Sequence, residues 1–319
     1  MRKAVIISAI VLVTLSLPSG AAAQDANQVV GASIPGHVIL AVLGAALLHA
    51  TWNALAKGRA GQGDPLPSTV LVVAGSALTS ALLLPFMAAP APASWAFIAA
   101  SSLVQTLYCV LLIEAYRSGD MSHAYPLMRG SAPLLVALCN GVLTGERLGG
   151  AQWLAVCLIC GGVMAMVLAT RGPTARPAGQ HRATLFALAT ACVIALYTVI
   201  DGAGVRRSGA PAAYTMWIFL LNGSMVTAWA ARSHSHALLH LARARPLLLP
   251  VGGVSSFGSY CIALWAMTLA PVAAIAALRE TSILFVTAIA AFVLRERIGR
   301  ARLLAVALIA SGAVAMRLA

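Results

Sequence analysis

Charge is what this sequence has least of. Only 9% of its 319 residues are charged, eight of them acidic, and lysine occurs just twice, at Lys3 and Lys57. A soluble domain carries about a quarter charged residues. A chain so poor in charge cannot clothe a water-facing surface, which excludes a soluble enzyme. Aromatic residues are few at 6%, and the formal charge of +13 forms no basic stripe interleaved with them. That excludes a nucleic-acid-binding domain, whose footprint is a clustered basic face. No Walker loop, GxSxG or HExxH motif occurs in a fitting context, which argues against ATP-driven or hydrolytic chemistry by this chain.

Cysteine offers no chemistry either. The six cysteines all lie inside apolar runs. Cys157 and Cys160 are spaced CxxC, but no second pair or histidine follows at zinc-ligand spacing, so packing is the expected role. His234, His236 and His240 form an HxHxxxH pattern with no acid or cysteine beside it, and are expected in a solvated loop rather than around a metal. No cofactor is expected.

What the chain has in abundance is apolar length. Hydrophobic residues make up 61% of it. About 20 apolar residues in a helix cross a hydrocarbon core of about 30 Å. Ten stretches fit, at residues 37–57, 67–88, 94–116, 121–143, 150–169, 183–201, 211–231, 246–269, 271–293 and 300–318. Turn residues separate many of them, such as Gly61-Gln62-Gly63-Asp64-Pro65, Pro90-Ala91-Pro92 and Gly209-Ala210-Pro211. Isolated strands cannot satisfy their backbone in lipid, so the runs read as helices of an all-α integral membrane protein.

The first residues resemble an export signal. Arg2-Lys3 precedes the apolar run Ala4 to Leu17, and Ala21-Ala22-Ala23 supplies a cleavage pattern. Residues 1–23 are therefore expected to be a signal peptide or an extra helix, followed by an extracytoplasmic linker at 24–36. The gaps after spans 1, 3, 5, 7 and 9 hold thirteen basic residues, from Lys57 and Arg59 to Arg300 and Arg302, against four on the other side, Arg147, Arg206, Arg207 and Arg317. Positive residues favour the cytoplasm. The mature termini are then expected outside, in a multi-pass protein of the bacterial inner (plasma) membrane.

An internal repeat gives the strongest functional hint. Leu148 to Ala169 and Ile298 to Ala319 agree at 12 of 22 positions at a shift of 150, including Gly162/Gly312 and Leu158-Ile159/Leu308-Ile309. The same shift aligns Glu146-Arg147 with Glu296-Arg297 and Arg129 with Arg279. A shift that spans five helices makes the second copy enter from the opposite face. The expected fold is ten transmembrane helices as two inverted five-helix repeats, 37–169 and 183–319, joined by a cytoplasmic linker at 170–182. Inverted repeats commonly house a substrate site near midplane.

At these residues the sequence resembles the drug/metabolite transporter superfamily, EamA type. The resemblance rests on Gly145-Glu146-Arg147-Leu148 and its partner Arg295-Glu296-Arg297-Ile298, on the glycine-rich fifth span with its tenth-span copy, and on His49-Ala50-Thr51-Trp52-Asn53-Ala54. The second motif departs at Arg295, where glycine is expected. The resemblance implies a carrier that exports or imports small metabolites.

Charges at bilayer depth cost at least about 2.5–3.5 kcal/mol, so each calls for a reason. Arg129 and Arg279 each lie about 12 Å into a span, from opposite faces. They read as cationic sites for a carboxylate, phosphate or phosphonate, or as members of an ion pair with Glu280 or Glu114. Glu280 is deep enough to neutralise an arginine, bind a cation or carry a proton. His49 and Asn53, with Trp52 alongside, and Tyr125 on the face of Arg129 could line a polar cavity together with Tyr197, or act as packing glue between helices. Pro126 and Pro133 suggest a kink beside Arg129. Glu114 and Arg117 are expected to pair at a helix surface, and Asp201 is expected to be exposed at a span end. Two readings follow: a secondary transporter of an anionic or zwitterionic metabolite working by alternating access, or a membrane-embedded lipid-head-group flippase or enzyme. The expected partners are a small-molecule substrate, the lipid bilayer, and a coupling proton or counter-substrate, with the protein a monomer or homodimer.

Overall fold

The computed structural model describes residues 34–57, 64–118, 121–170, 180–292 and 299–319. The expected signal peptide, most of the two linkers, and Arg295-Glu296-Arg297-Ile298 lie outside the described residues. All regular structure among the described residues is helical. Helix α1 spans Gly36–Lys57, α2 Pro65–Leu83, α3 Trp95–Ser118, α4 Met121–Leu143 and α5 Gly150–Thr170. The second half holds α6 at Gln180–Ser208, α7 at Pro211–Ala244, α8 at Gly253–Ala266, α9 at Val272–Arg279, α10 at Ser282–Phe292 and α11 at Arg300–Leu318. Among the described residues, eight helical stretches are long and apolar enough to cross a membrane, and a shorter apolar one runs from Gly150 to Met166.

Three expected boundaries move. The sixth span continues to Ser208 and stops at Gly209, whose φ of 64° suits a residue without a Cβ. Arg206 and Arg207 therefore sit on a helix end rather than in a loop. The helix over 211–231 runs on to Ala244, kinked at His234, so the three histidines ride on a helix and not in a loop. Its share of Thr215, Asn222, Ser224 and Arg232 dilutes it, and it is not among the eight apolar stretches. The ninth span is broken: α9 ends at Arg279, and α10 begins at Ser282. By contrast, α4 passes through Pro126 and Pro133 as one helix.

The outward faces are apolar, as at Leu40, Phe86, Leu185 and Leu304. Among the described residues, the buried charged ones are Arg129, Glu146, Asp201, Arg279 and Glu280. Apolar outer faces on long helices, with a few charges buried inside, are those of a multi-pass integral membrane protein.

The chain forms two compact units. In the first, built from Leu47–Cys109 and Ile200–Thr268, α2 packs on α7 and α8. Small residues permit this: Gly75 lies against the backbone of Leu249 and Gly253, and Gly223 against Ala77. The second unit holds residues 34–46, Val110–Val199 and Leu269–Ala319, with α5 packed on α11 and α4 packed on α5 and α9.

The α5–α11 contact is reciprocal. A Cβ on Gly162 would lie 2.7 Å from Ile309 Cγ1 and 2.9 Å from the Ala305 carbonyl oxygen. A Cβ on Gly312 would lie 2.7 Å from Ile159 Cγ1 and 3.0 Å from the Ala155 carbonyl oxygen. Each contact is the other shifted by 150 positions. A step up one helix is matched by a step down the other, so the two run in opposite senses where they touch.

Candidate functional site

The break between α9 and α10 sets the geometry of the site in the second unit. Glu280 and Thr281 leave the α-helical pattern through tighter bonds: the Glu280 N–H donates to the Ala277 carbonyl at 2.9 Å, and the Thr281 N–H to Leu278 at 3.1 Å. The Thr281 hydroxyl donates to the same Leu278 carbonyl at 2.6 Å. These bonds satisfy carbonyls that a helix end would otherwise leave exposed to an apolar interior. Arg279 occupies the last turn of α9, where the helix dipole favours a cation.

Across from the break stands α4. Arg129 Nε lies 2.9 Å from Glu280 Oε2, with both side chains buried. Arg279 adds a second cation acting on the same carboxylate. Tyr125 stands one turn before Arg129 on α4, with its hydroxyl near Arg129 and Ser282, and Tyr116 at the end of α3 neighbours both Tyr125 and Arg129. Removing two charges from water costs several kcal/mol per ion, and the pair recovers this only with good geometry and further hydrogen bonds. Here Arg279 acts on the same carboxylate, and the hydroxyls of Tyr125 and Ser282 lie beside the pair.

One further acid fixes α9 from its other end. Glu146, in the connection before α5, is buried and accepts a bond from the Val272 N–H at 3.1 Å through Oε1, while the Asn140 side-chain amide donates to Oε2. Val272 is the first residue of α9, and Pro271 before it has no side chain able to cap. Glu146 is thus the N-terminal cap of the eight-residue helix that ends on Arg279. Its neighbour Arg147 is exposed.

Of the sequence-predicted residues, the structure gathers Arg129, Arg279, Glu280 and Tyr125. Tyr197 is buried in the same unit. His49, Trp52 and Asn53 fall in the first unit. There the His49 and Trp52 rings meet edge to face at 5.1 Å, and the Asn53 amide donates to the His49 carbonyl at 2.8 Å, within its own helix rather than to another. Glu114 pairs with Arg117 at 3.2 Å on a half-exposed face. Cys160 is buried while Cys157 is exposed, so packing inside the protein accounts for only one of the CxxC pair.

Asp201 is the clear correction. It is fully buried in the first unit, not exposed. Its Oδ2 accepts from the Tyr260 hydroxyl at 2.5 Å and the Gln105 amide at 3.1 Å, and its Oδ1 accepts from the Tyr214 hydroxyl at 3.1 Å. The extension of α6 past residue 201 is the reason, because it turns a span end into a helix interior. Tyr116, Ser282, Asn140 and the cap made by Glu146 also went unread. Each is an ordinary residue whose role depends on an approach from a distant helix, which no local spacing signals.

Residues 37–168 and residues 181–318 each match the EamA-like transporter family. The protein belongs to that family. The two matched segments leave out residues 1–36, residues 169–180 and Ala319. A solved structure, titled only as the crystal structure of a protein, is similar to this chain with a TM-score of 0.69 at 20% identity, over 88% of this chain and 96% of that one. At that identity the likeness concerns the fold alone. No curated protein matches this EamA-like chain.

Proposed function

We propose that the protein is a secondary active transporter that moves a small anionic or zwitterionic metabolite across the inner membrane by alternating access of two inverted five-helix halves. The observation that carries this reading is the buried ion pair between Arg129 and Glu280. Arg129 belongs to the first EamA-like segment and Glu280 to the second, so the pair joins the halves. Two guanidiniums act on the one carboxylate of Glu280. A substrate carboxylate, phosphate or phosphonate could compete with Glu280 for Arg129 and Arg279, which couples substrate entry to separation of the halves.

The inverted arrangement is supported by the reciprocal packing of Gly162 and Gly312, in which contacts related by 150 positions run in opposite senses. The broken α9–α10 segment also fits, because discontinuous helices are a common way to build a transporter site. In this reading the odd-numbered loops face the cytoplasm and the mature termini face outside, which the bias of basic residues supports. Proton coupling and counter-substrate exchange both fit this scheme. Charges gathered between the halves, rather than a cluster at one surface, favour a carrier over an embedded enzyme or flippase.

The test is a thermal-shift screen of the purified protein against amino acids, phosphonates and polyamines. Stabilisation by an anionic or zwitterionic member, lost in Arg279→Ala, is the expected result. Stabilisation by polyamines alone would contradict the proposed charge preference.

A further inference from the structure

The first unit holds a buried acid that the scheme above does not use. Asp201 lies on α6 with no exposed surface, and four neutral groups face its carboxylate: Tyr214 from α7, Tyr260 from α8, and Ser101 and Gln105 from α3. Gly204 makes room for one of them, since a Cβ there would collide with the Tyr214 hydroxyl. The cationic groups nearest along α6 are engaged elsewhere. Arg206 Nε donates to the Met267 carbonyl at 2.8 Å, and Arg207 donates to Ala203 and stacks on the Phe97 ring. The other titratable groups on these helices include two buried thiols, Cys261 next to Tyr260 on α8 and Cys109 on α3.

Glu280 and Asp201 thus differ in kind. Glu280 sits against two arginines, whereas Asp201 is surrounded by hydroxyls and an amide. An anion without a cation in an apolar bundle is costly, and its own proton is the neutralising partner that needs no space. Three of the four neighbours are hydroxyls, which can turn from donor to acceptor. On protonation one hydroxyl rotates to accept the new carboxyl O–H, and the other donors stay in place. Loss of the proton to water restores the arrangement seen here. Tyr260 and Gln105 are 6% and 7% exposed, and Asp201 itself has no exposed surface.

We infer that Asp201, held by Tyr214, Tyr260, Ser101 and Gln105, is a reversible proton-binding site, separate from the Arg129–Glu280–Arg279 cluster, and that it serves as the coupling site of the carrier. The coupling role rests on the transport reading; proton binding does not. A purely structural Asp201 would fasten three helices to α6 and keep one protonation state wherever the protein is folded.

Infrared difference spectra of the purified protein, recorded through a pH titration, test the site without a substrate. The expected result is a carboxyl C=O band that comes and goes with pH, is absent in Asp201→Asn, and shifts in frequency in Tyr260→Phe. If Asp201→Asn does not fold, Tyr260→Phe and Tyr214→Phe, which retain the acid, must each move the band. A titrating band indifferent to all three variants, or no titrating band, overturns the proposal. Coupling is read in vesicles loaded with a pH-sensitive dye and challenged with the same amino acids and phosphonates. The wild type should move protons with the probe it exchanges, and Asp201→Asn should exchange that probe without moving protons. Proton movement that survives in Asp201→Asn overturns the coupling role. If no probe is exchanged by either protein, the transport reading fails and the coupling role falls with it, while the infrared result still decides proton binding.

Discussion

Gly162 on α5 and Gly312 on α11 are each pressed against the helix that carries the other. The Cβ that either lacks would meet an isoleucine Cγ1 at 2.7 Å, Ile309 in one case and Ile159 in the other. These four residues form two pairs at a spacing of 150, so one packing solution is used twice. The relationship ties the repeat, visible as letters, to a physical contact.

Substituting either glycine should therefore cost the same. Gly162→Val and Gly312→Val each force extra carbon into a closed contact, and overpacking of that kind costs about 1–3 kcal/mol. Thermal unfolding in detergent should show similar drops for the two. A large loss at one and none at the other would break the equivalence.

The ion pair calls for a double-mutant cycle. Removing one partner leaves a buried charge, which costs about 3–5 kcal/mol in typical cases. Arg129→Met and Glu280→Met should each destabilise the protein strongly, while the double variant recovers much of the stability. Recovered stability should come without recovered ligand response, since the double variant has lost one of the two guanidiniums proposed to hold the substrate anion.

Glu146 acts through α9. Glu146→Ala removes the acceptor for the Val272 N–H, a loss of about 1–2 kcal/mol for a helix cap. Asn140→Ala should produce a smaller effect, because it removes a donor to the carboxylate and leaves the cap in place. If the cap positions Arg279, Glu146→Ala also weakens the ligand-induced thermal shift beyond its effect on stability, whereas Arg147→Ala, at an exposed position, does neither.

Much of this was legible in the sequence, and the parts that were not share a cause. Long apolar runs revealed the helices because lipid demands them, and rare charges stood out because each is costly there. Arg129, Arg279 and Glu280 stand out on that ground, the two arginines also through the repeat, and Tyr125 through its place on the face of Arg129. The break in the ninth span was missed because no glycine or proline marks it; Thr281 closes the helix end with its hydroxyl, while the prolines at 126 and 133 lie in α4, which stays whole. Asp201 was misplaced because a boundary error of seven residues moved it from a helix interior to a span end. His49 and Asn53 were correctly put on one face, yet Asn53 turns its amide onto its own helix, a choice that spacing does not decide.

The central claim is that the two halves enter the membrane in opposite senses. Lys57 and Arg207 are equivalent at the shift of 150 and lie at the carboxyl-terminal ends of α1 and α6. Cysteine placed at each in turn, in an otherwise cysteine-free chain, can be reacted with a membrane-impermeant maleimide applied to one side of intact cells or of inverted vesicles. The account predicts that Lys57→Cys is labelled from the cytoplasmic side and Arg207→Cys from the opposite side. Labelling of both from the same compartment would contradict it.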